Sequence, residues 1–168
     1  MTDNLFSGDD LEIRPAVASD ADDIFDLITH LAWSTGHPEV VTSQAADFLA
    51  MGFEEPPAFY ALIAERDGQP IGLSLFFYTF SSWRGERGVY LQDLVVTDSE
   101  RGSGLGRRLI AETARRASLD GATHLRLSVA TDNPHAMGFY EEVGLSPADE
   151  ERLFEADGPA FARLARIE

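Results

Sequence analysis

A mixed α/β fold is what this sequence predicts, and three features predict it. Between Phe59 and Val96 three apolar, strand-like runs follow one another through short connections. A glycine-rich segment, Arg101 to Gly106, then joins the last run to a pattern of helical period, and a further strand-like run follows that helix. Antiparallel strands first and a strand, helix, strand unit second give a mixed sheet flanked by helices.

The elements follow in order. Residues 1–9 are polar and read as a frayed terminus. Leu11 to Val17 alternates as a short strand. Ser19 or Asp20 is placed to cap a helix whose apolar positions Ile24, Leu27, Ile28 and Leu31 recur at helical spacing, ending before Gly36 and His37-Pro38. A second helix is expected from Ser43 to Met51, stopped by Gly52 and the Pro56-Pro57 pair. The strands Phe59 to Arg66 and Pro70 to Phe80 are joined by Asp67-Gly68, a hairpin signal, and a longer loop, SSWRGER, leads to the strand Gly88 to Val96. After the glycine segment, Leu105, Leu109, Ala114 and Ala117 mark a helix ending near Gly121. His124 to Ala130 reads as a strand, Asn133 to Gly144 as a short helix, and Arg152 to Ala156 and Phe161 to Ile167 as two last strands, which brings the expected sheet to about seven. No repeat or linker interrupts the 168 residues, so one domain, 1–168, is expected.

Composition narrows the function classes. The chain has no cysteine, which excludes disulfides, thiolate nucleophiles and cysteine metal sites and fits a reducing, cytoplasmic setting. No apolar run reaches the length of a bilayer span, and the N-terminal residues lack the order of a signal peptide, so no membrane role is expected. Acidic residues outnumber basic ones 29 to 13, and every basic residue is arginine. A net charge of -16 repels polyanions, which argues against nucleic acid and favours cationic small molecules or a simply solvated surface. His30, His37, His124 and His135 show no metal-ligand spacing, so no metal is expected.

The glycine segment is the strongest chemical signal. Gly102, Gly104 and Gly106 leave backbone amides open to close approach, the first turn of a helix adds its orphan N–H groups, and Arg101, Arg107 and Arg108 add positive charge. Together these suit a pyrophosphate. A Walker loop is excluded because it needs a lysine, and the dinucleotide fingerprint fails because the spacing is G-x-G-x-G and Arg126 stands where an acidic residue is needed. A ligand-free strand-to-helix turn is the remaining alternative.

Taken whole, the run from Arg101 through Gly102, Ser103, Gly104 and Leu105 to Gly106, after the strand LQDLVV, resembles the acetyl-CoA signature of the GNAT acetyltransferase superfamily. IRPA near the start, WRGERGVYLQDLVV, ATDNPHAMGFYEEVG and ERLF fall in the order and spacing of its diamine and thialysine branch, so the resemblance covers nearly the whole chain. It implies a GNAT fold with a mostly antiparallel sheet, and acetyl-CoA held by the amides of the loop from Arg101 to Arg107. It also implies that Leu94, Val95 and Val96 pair with the pantetheine arm, that Asn133 contacts the cofactor, and that the enzyme is a homodimer.

The same resemblance assigns the chemistry. Acetyl transfer to an amine needs a neutral amine, a polarised carbonyl and an acid for the departing thiolate. Tyr140 matches the family's general acid, although Phe139 and Tyr140 also read as the buried face of a helix. The amide of Leu94 or Val95 is expected to polarise the carbonyl. Two carboxylates of the diamine branch are represented here by Gln92 and Asp93; Gln92 cannot accept a proton, Asp93 remains as a candidate base although strand alternation puts it on the face opposite its neighbour, and a water chain or a different carboxylate is the alternative. Trp83 is expected either at the substrate mouth or over the hairpin end. The implied activity is N-acetylation of a small primary amine, with a peptide acceptor or a non-catalytic acyl-CoA-binding module as alternatives.

Overall fold

The computed structural model describes residues 11–166, so the polar run 1–9 and the end of the last expected strand lie outside the described residues. These fall into two compact units that divide after Ser128. In the first, five strands form one sheet in sequence order: β1 (Leu11–Pro15), β2 (Tyr60–Arg66), β3 (Gln69–Ser81), β4 (Glu86–Val96) and β5 (Ala122–Leu127). The first four pair antiparallel, and β5 runs parallel to β4. The β2–β3 turn takes positive φ at both Asp67 (52°) and Gly68 (73°), the backbone that lets a two-residue turn match the strand twist.

Helices cover both faces. On one, α1 (Ala21–Ser34) buries Ile24 and Leu27 against Ala61, Ile63, Leu73, Leu75 and Val95, and Phe48 and Phe53 of α2 (Ala45–Phe53) pack against that cluster. On the other, α3 (Leu105–Leu119) buries Leu105, Leu109, Ile110 and Thr113. Thr113 donates its hydroxyl proton to the Leu109 carbonyl at 2.8 Å, so the buried Ser74 hydroxyl must donate to Thr113 at 2.6 Å, which ties the helix to the middle of the sheet.

Two helix signals resolve differently from their sequence reading. Asp20 precedes α1, yet its carboxylate accepts from the Val17 N–H at 2.7 Å and from the Arg14 guanidinium at 2.7 and 2.9 Å, with Glu65 on the guanidinium's other edge. Those bonds from Arg14 hold the Asp20 carboxyl below its ordinary value. Gly52 does not stop α2 but lies within it, because Phe59 packs there: a Cβ at Gly52 would meet the ring at 2.5 Å. Phe59 in turn makes edge contacts with Phe48 and Phe53. Gly52→Val is therefore expected to cost about 1–3 kcal/mol by overpacking, read as a lower urea midpoint with an unchanged slope.

The second unit contains α4 (Pro134–Glu142) and α5 (Gly158–Leu164). The two expected C-terminal strands are absent among the described residues. Residues 151–157 carry no regular structure and 158–164 form α5, so the described sheet has five strands rather than about seven. The reason is local: Asp157-Gly158-Pro159 is a helix start, with proline in the first turn where its missing N–H costs nothing. The expected strand from His124 to Ala130 also begins and ends earlier, at Ala122 and Leu127.

Candidate active site

The sheet forks between its last two strands. β4 pairs with β3 along its whole length to Val96, but with β5 only from Arg87 to Leu91. From Gln92 to Val96 the β5 side of β4 has no partner strand among the described residues. Amides and carbonyls of an extended strand point alternately to its two sides, so half of the groups from Leu94 to Val96 face this gap and are available to an extended ligand.

A bulge sets what flanks the gap. Leu91 lies opposite Phe76 and Asp93 opposite Leu75, which leaves Gln92 as an extra residue in β4. Strict alternation would put Tyr90 and Asp93 on opposite faces. The extra residue restores them to one face, because Tyr90 lies opposite Phe77, Asp93 opposite Leu75, and residues 75 and 77 share a face. Gln92 is exposed and Asp93 half-buried. Among the described residues no hydrogen bond or ion pair engages the Asp93 carboxyl, and desolvation raises it above the ordinary aspartate value. An unengaged carboxylate with a raised value is a better base than a solvated one.

The glycine segment follows directly. After β4, a single 3-10 turn, Asp98–Glu100, leads into it. Arg66 at the end of β2 grips the Glu100 carboxylate through two bonds of 3.1 Å, and Arg101 pairs with Asp98 at 2.9 Å, so the entry to the loop is fixed at both ends. The composition gave no hint of either pair. Gly102 and Gly104 take φ of 77° and 85°, angles that side-chain-bearing residues rarely adopt, and a Cβ built on either meets nothing within 4 Å. Open space therefore lies over both, and α3 begins at Leu105, where the Ser103 hydroxyl accepts from the Leu105 N–H at 3.3 Å. An exposed loop with amides at the N-terminus of a 15-residue helix fits the pyrophosphate of acetyl-CoA, and the open edge of β4 fits its extended arm. Gly106 and Arg107 lie in the first turn of that helix, Arg107 and Arg108 exposed.

The other expected site residues are distributed more widely. Trp83 is fully exposed in the four-residue tip between β3 and β4, so it does not cover the hairpin end. Seven residues of β4, about 23 Å of strand, separate that tip from Asp93. In the second unit Asn133 caps α4, its side-chain oxygen accepting from the Ala136 N–H at 3.0 Å. Tyr140, half-buried on the same helix, has its ring 5.2 Å from that of Phe139. One pair escaped the sequence reading: the Tyr90 and Ser128 hydroxyls lie 2.6 Å apart across the fork. Among the described residues no group of three His, Cys, Asp or Glu is disposed to hold a metal ion, and no helix is long and apolar enough to cross a membrane.

A family model described as "Acetyltransferase (GNAT) family" matches residues 23–145, a span that includes the fork, the loop and α4. The chain belongs to the GNAT acetyltransferase family. GNAT members transfer an acetyl group from acetyl-CoA, and this chain is accordingly an acetyl-CoA-dependent acyltransferase by family. It is 33% identical to thialysine N-epsilon-acetyltransferase of Bos taurus, over 91% of this chain and 96% of that protein. It is 30% identical to the human spermidine/spermine N(1)-acetyltransferase-like protein 1 over 82% of this chain, a region making up 21% of that longer protein. Among solved structures, an integron cassette protein from the mobile metagenome of V. cholerae superposes with a TM-score of 0.81 at 22% identity, covering 95% of this chain and all of that one, a likeness of fold.

Proposed function

We propose that this GNAT chain moves the acetyl group of acetyl-CoA onto a primary amine of a small molecule, of the thialysine or polyamine kind, by direct attack within a ternary complex. One observation carries the reading most: an unengaged, half-buried carboxylate, Asp93, stands beside the open edge of β4, on the strand that runs into the glycine loop. Two relatives named for small amine substrates support the acceptor class. The chain's strongly acidic balance agrees with a cationic acceptor.

In this reading the loop from Arg101 to Arg107 binds the pyrophosphate, and Leu94 to Val96 hold the pantetheine arm along the open edge. A gap-facing amide of Leu94 or Val95 polarises the thioester carbonyl. Asp93 takes the ammonium proton, directly or through water, and the neutral nitrogen forms the new C–N bond as the C–S bond breaks. Tyr140 gives its proton to the departing thiolate and recovers one from the amine nitrogen through solvent. Counted over the turnover, an ammonium and a thioester become an amide, a thiol and one released proton. Asn133 contacts the cofactor, Gln92 meets the acceptor, Trp83 lies too far along β4 to meet a small one, and the matched span running across both units supports a single catalytic domain, 1–168. A cytoplasmic homodimer without a metal completes the reading, on the family resemblance and the cysteine-free composition.

The test is acetyl-CoA-dependent thiol release against thialysine, spermidine, putrescine, lysine, an aminoglycoside and a short peptide, with Tyr140→Phe beside the parent protein. Turnover on a small amine, with kcat reduced about 10²-fold or more in Tyr140→Phe, is the expected result. Tight acetyl-CoA binding with no turnover on any amine would replace the enzyme by a binding module, and turnover on the peptide alone would replace the acceptor.

A further inference from the structure

The fork carries a feature that the family signature does not use. Beyond Leu91 and Leu127 the strands separate, and there the Tyr90 hydroxyl on β4 reaches Ser128, the residue after β5, at 2.6 Å. The bond is exposed, so it is not a buried tie forced by the core. Phe77 backs the Tyr90 ring, the two centroids 5.1 Å apart and nearly parallel, which fixes where the hydroxyl sits. The bulge at Gln92 puts Asp93 on this same face, at the next same-face position along the strand, about 7 Å from Tyr90.

We propose that Tyr90 and Ser128, together with Asp93, form the seat of the acceptor's ammonium group, an inference that rests on the amine-acetylating reading above. A primary ammonium carries three N–H donors, and the seat presents three oxygen acceptors: the tyrosine hydroxyl, the serine hydroxyl and the carboxylate. The Tyr90 ring adds a face for the positive charge. The two hydroxyls bind each other in the absence of acceptor, so neither is left unsatisfied, and each retains lone pairs to accept from an incoming ammonium. A hydroxyl acceptor brings one donor and no charge to the same seat, so selectivity for amines over alcohols follows from it. Tyr90 and Ser128 are positioning residues, with proton removal left to Asp93.

The experiment is steady-state kinetics of Tyr90→Phe, Ser128→Ala and the double variant, with whichever panel amine the parent protein acetylates and with acetyl-CoA varied separately. Each single variant is expected to raise KM for the amine about 5- to 20-fold with KM for acetyl-CoA within about twofold. The double variant should be worse than either single, since each change removes a different one of the three acceptors. Ser128→Thr, which keeps the hydroxyl, should restore the amine KM. Amine KM values within twofold of the parent in both singles would overturn the proposal, as would a parallel rise in both KM values, the mark of a strand tie alone. Absence of turnover by the parent protein on every amine would remove the amine-acetylating reading and this seat with it; the first two outcomes remove the seat only.

Discussion

Asp93→Asn is expected to lower kcat/KM for the acceptor amine by about 10²- to 10⁴-fold while leaving acetyl-CoA affinity nearly intact. The substitution keeps the size of the side chain and its place opposite Leu75 and removes only the capacity to take a proton. Desolvation raises the Asp93 carboxyl above the ordinary aspartate value, so the ionised form proposed to serve as base is populated only above that raised value. The acid limb of the pH-rate profile should therefore lie higher than a solvated aspartate would place it and should vanish in Asp93→Asn. Stability moves the other way. A group whose folded value is raised binds more protons folded than unfolded between its two values, so the ionised carboxyl destabilises the fold as pH rises through that window. At neutral pH the asparagine variant should accordingly melt slightly higher than the parent protein. Lower turnover with a higher Tm would mark a group retained for chemistry at a cost in stability. Unchanged turnover would move the base elsewhere, since Gln92 cannot serve.

The legibility of the sequence varied along the chain for physical reasons. The strands of the meander were readable because their apolar runs are long and their first turn is Asp67-Gly68, whose backbone needs positive φ at both positions. The glycine loop was readable for the same kind of reason: Gly102 and Gly104 stand at angles that other residues rarely tolerate. The face of Asp93 was not readable. Alternation assumes an unbroken register, and nothing in GVYLQDLVV announces that Gln92 is an extra residue, because the bulge arises only when β3 and β4 are paired. Gly52 failed as a stop signal for a related reason, since its lack of a side chain is used by Phe59, a contact distant in the final packing of the helix rather than in its own sequence pattern. At the C-terminal end the alternation in ERLFEAD is too short and too polar to decide between strand and loop. Asp157 and Pro159 supply a helix start that outweighs the apolar spacing after it. The Tyr90 and Ser128 pair lay 38 residues apart in the chain, beyond any local pattern.

Gly104→Val is expected to raise KM for acetyl-CoA by about tenfold or more while the fold persists. Two effects separate cleanly here. Gly104 holds φ of 85° just before α3, and a β-branched residue at that angle carries strain of about 1–3 kcal/mol, which should appear as a lower Tm. A Cβ at Gly104 meets nothing within 4 Å, so there is no clash to unfold the protein, and the new side chain projects into the space over the loop that the pyrophosphate is proposed to occupy. Strain alone cannot explain a loss of cofactor affinity, and Gly121 provides the comparison. It lies at the other end of the same helix with φ of 84° and equally open surroundings. Gly121→Val should match the fall in Tm and leave both KM values as they are. If the two variants affect acetyl-CoA equally, the loop amides do not cradle the cofactor and the glycines serve only the turn. If Gly104→Val alone loses the cofactor, with kcat at saturating acetyl-CoA little changed, the loop binds without taking part in bond making, which is the division of labour proposed for the loop on one side and Asp93, the open edge of β4 and Tyr140 on the other.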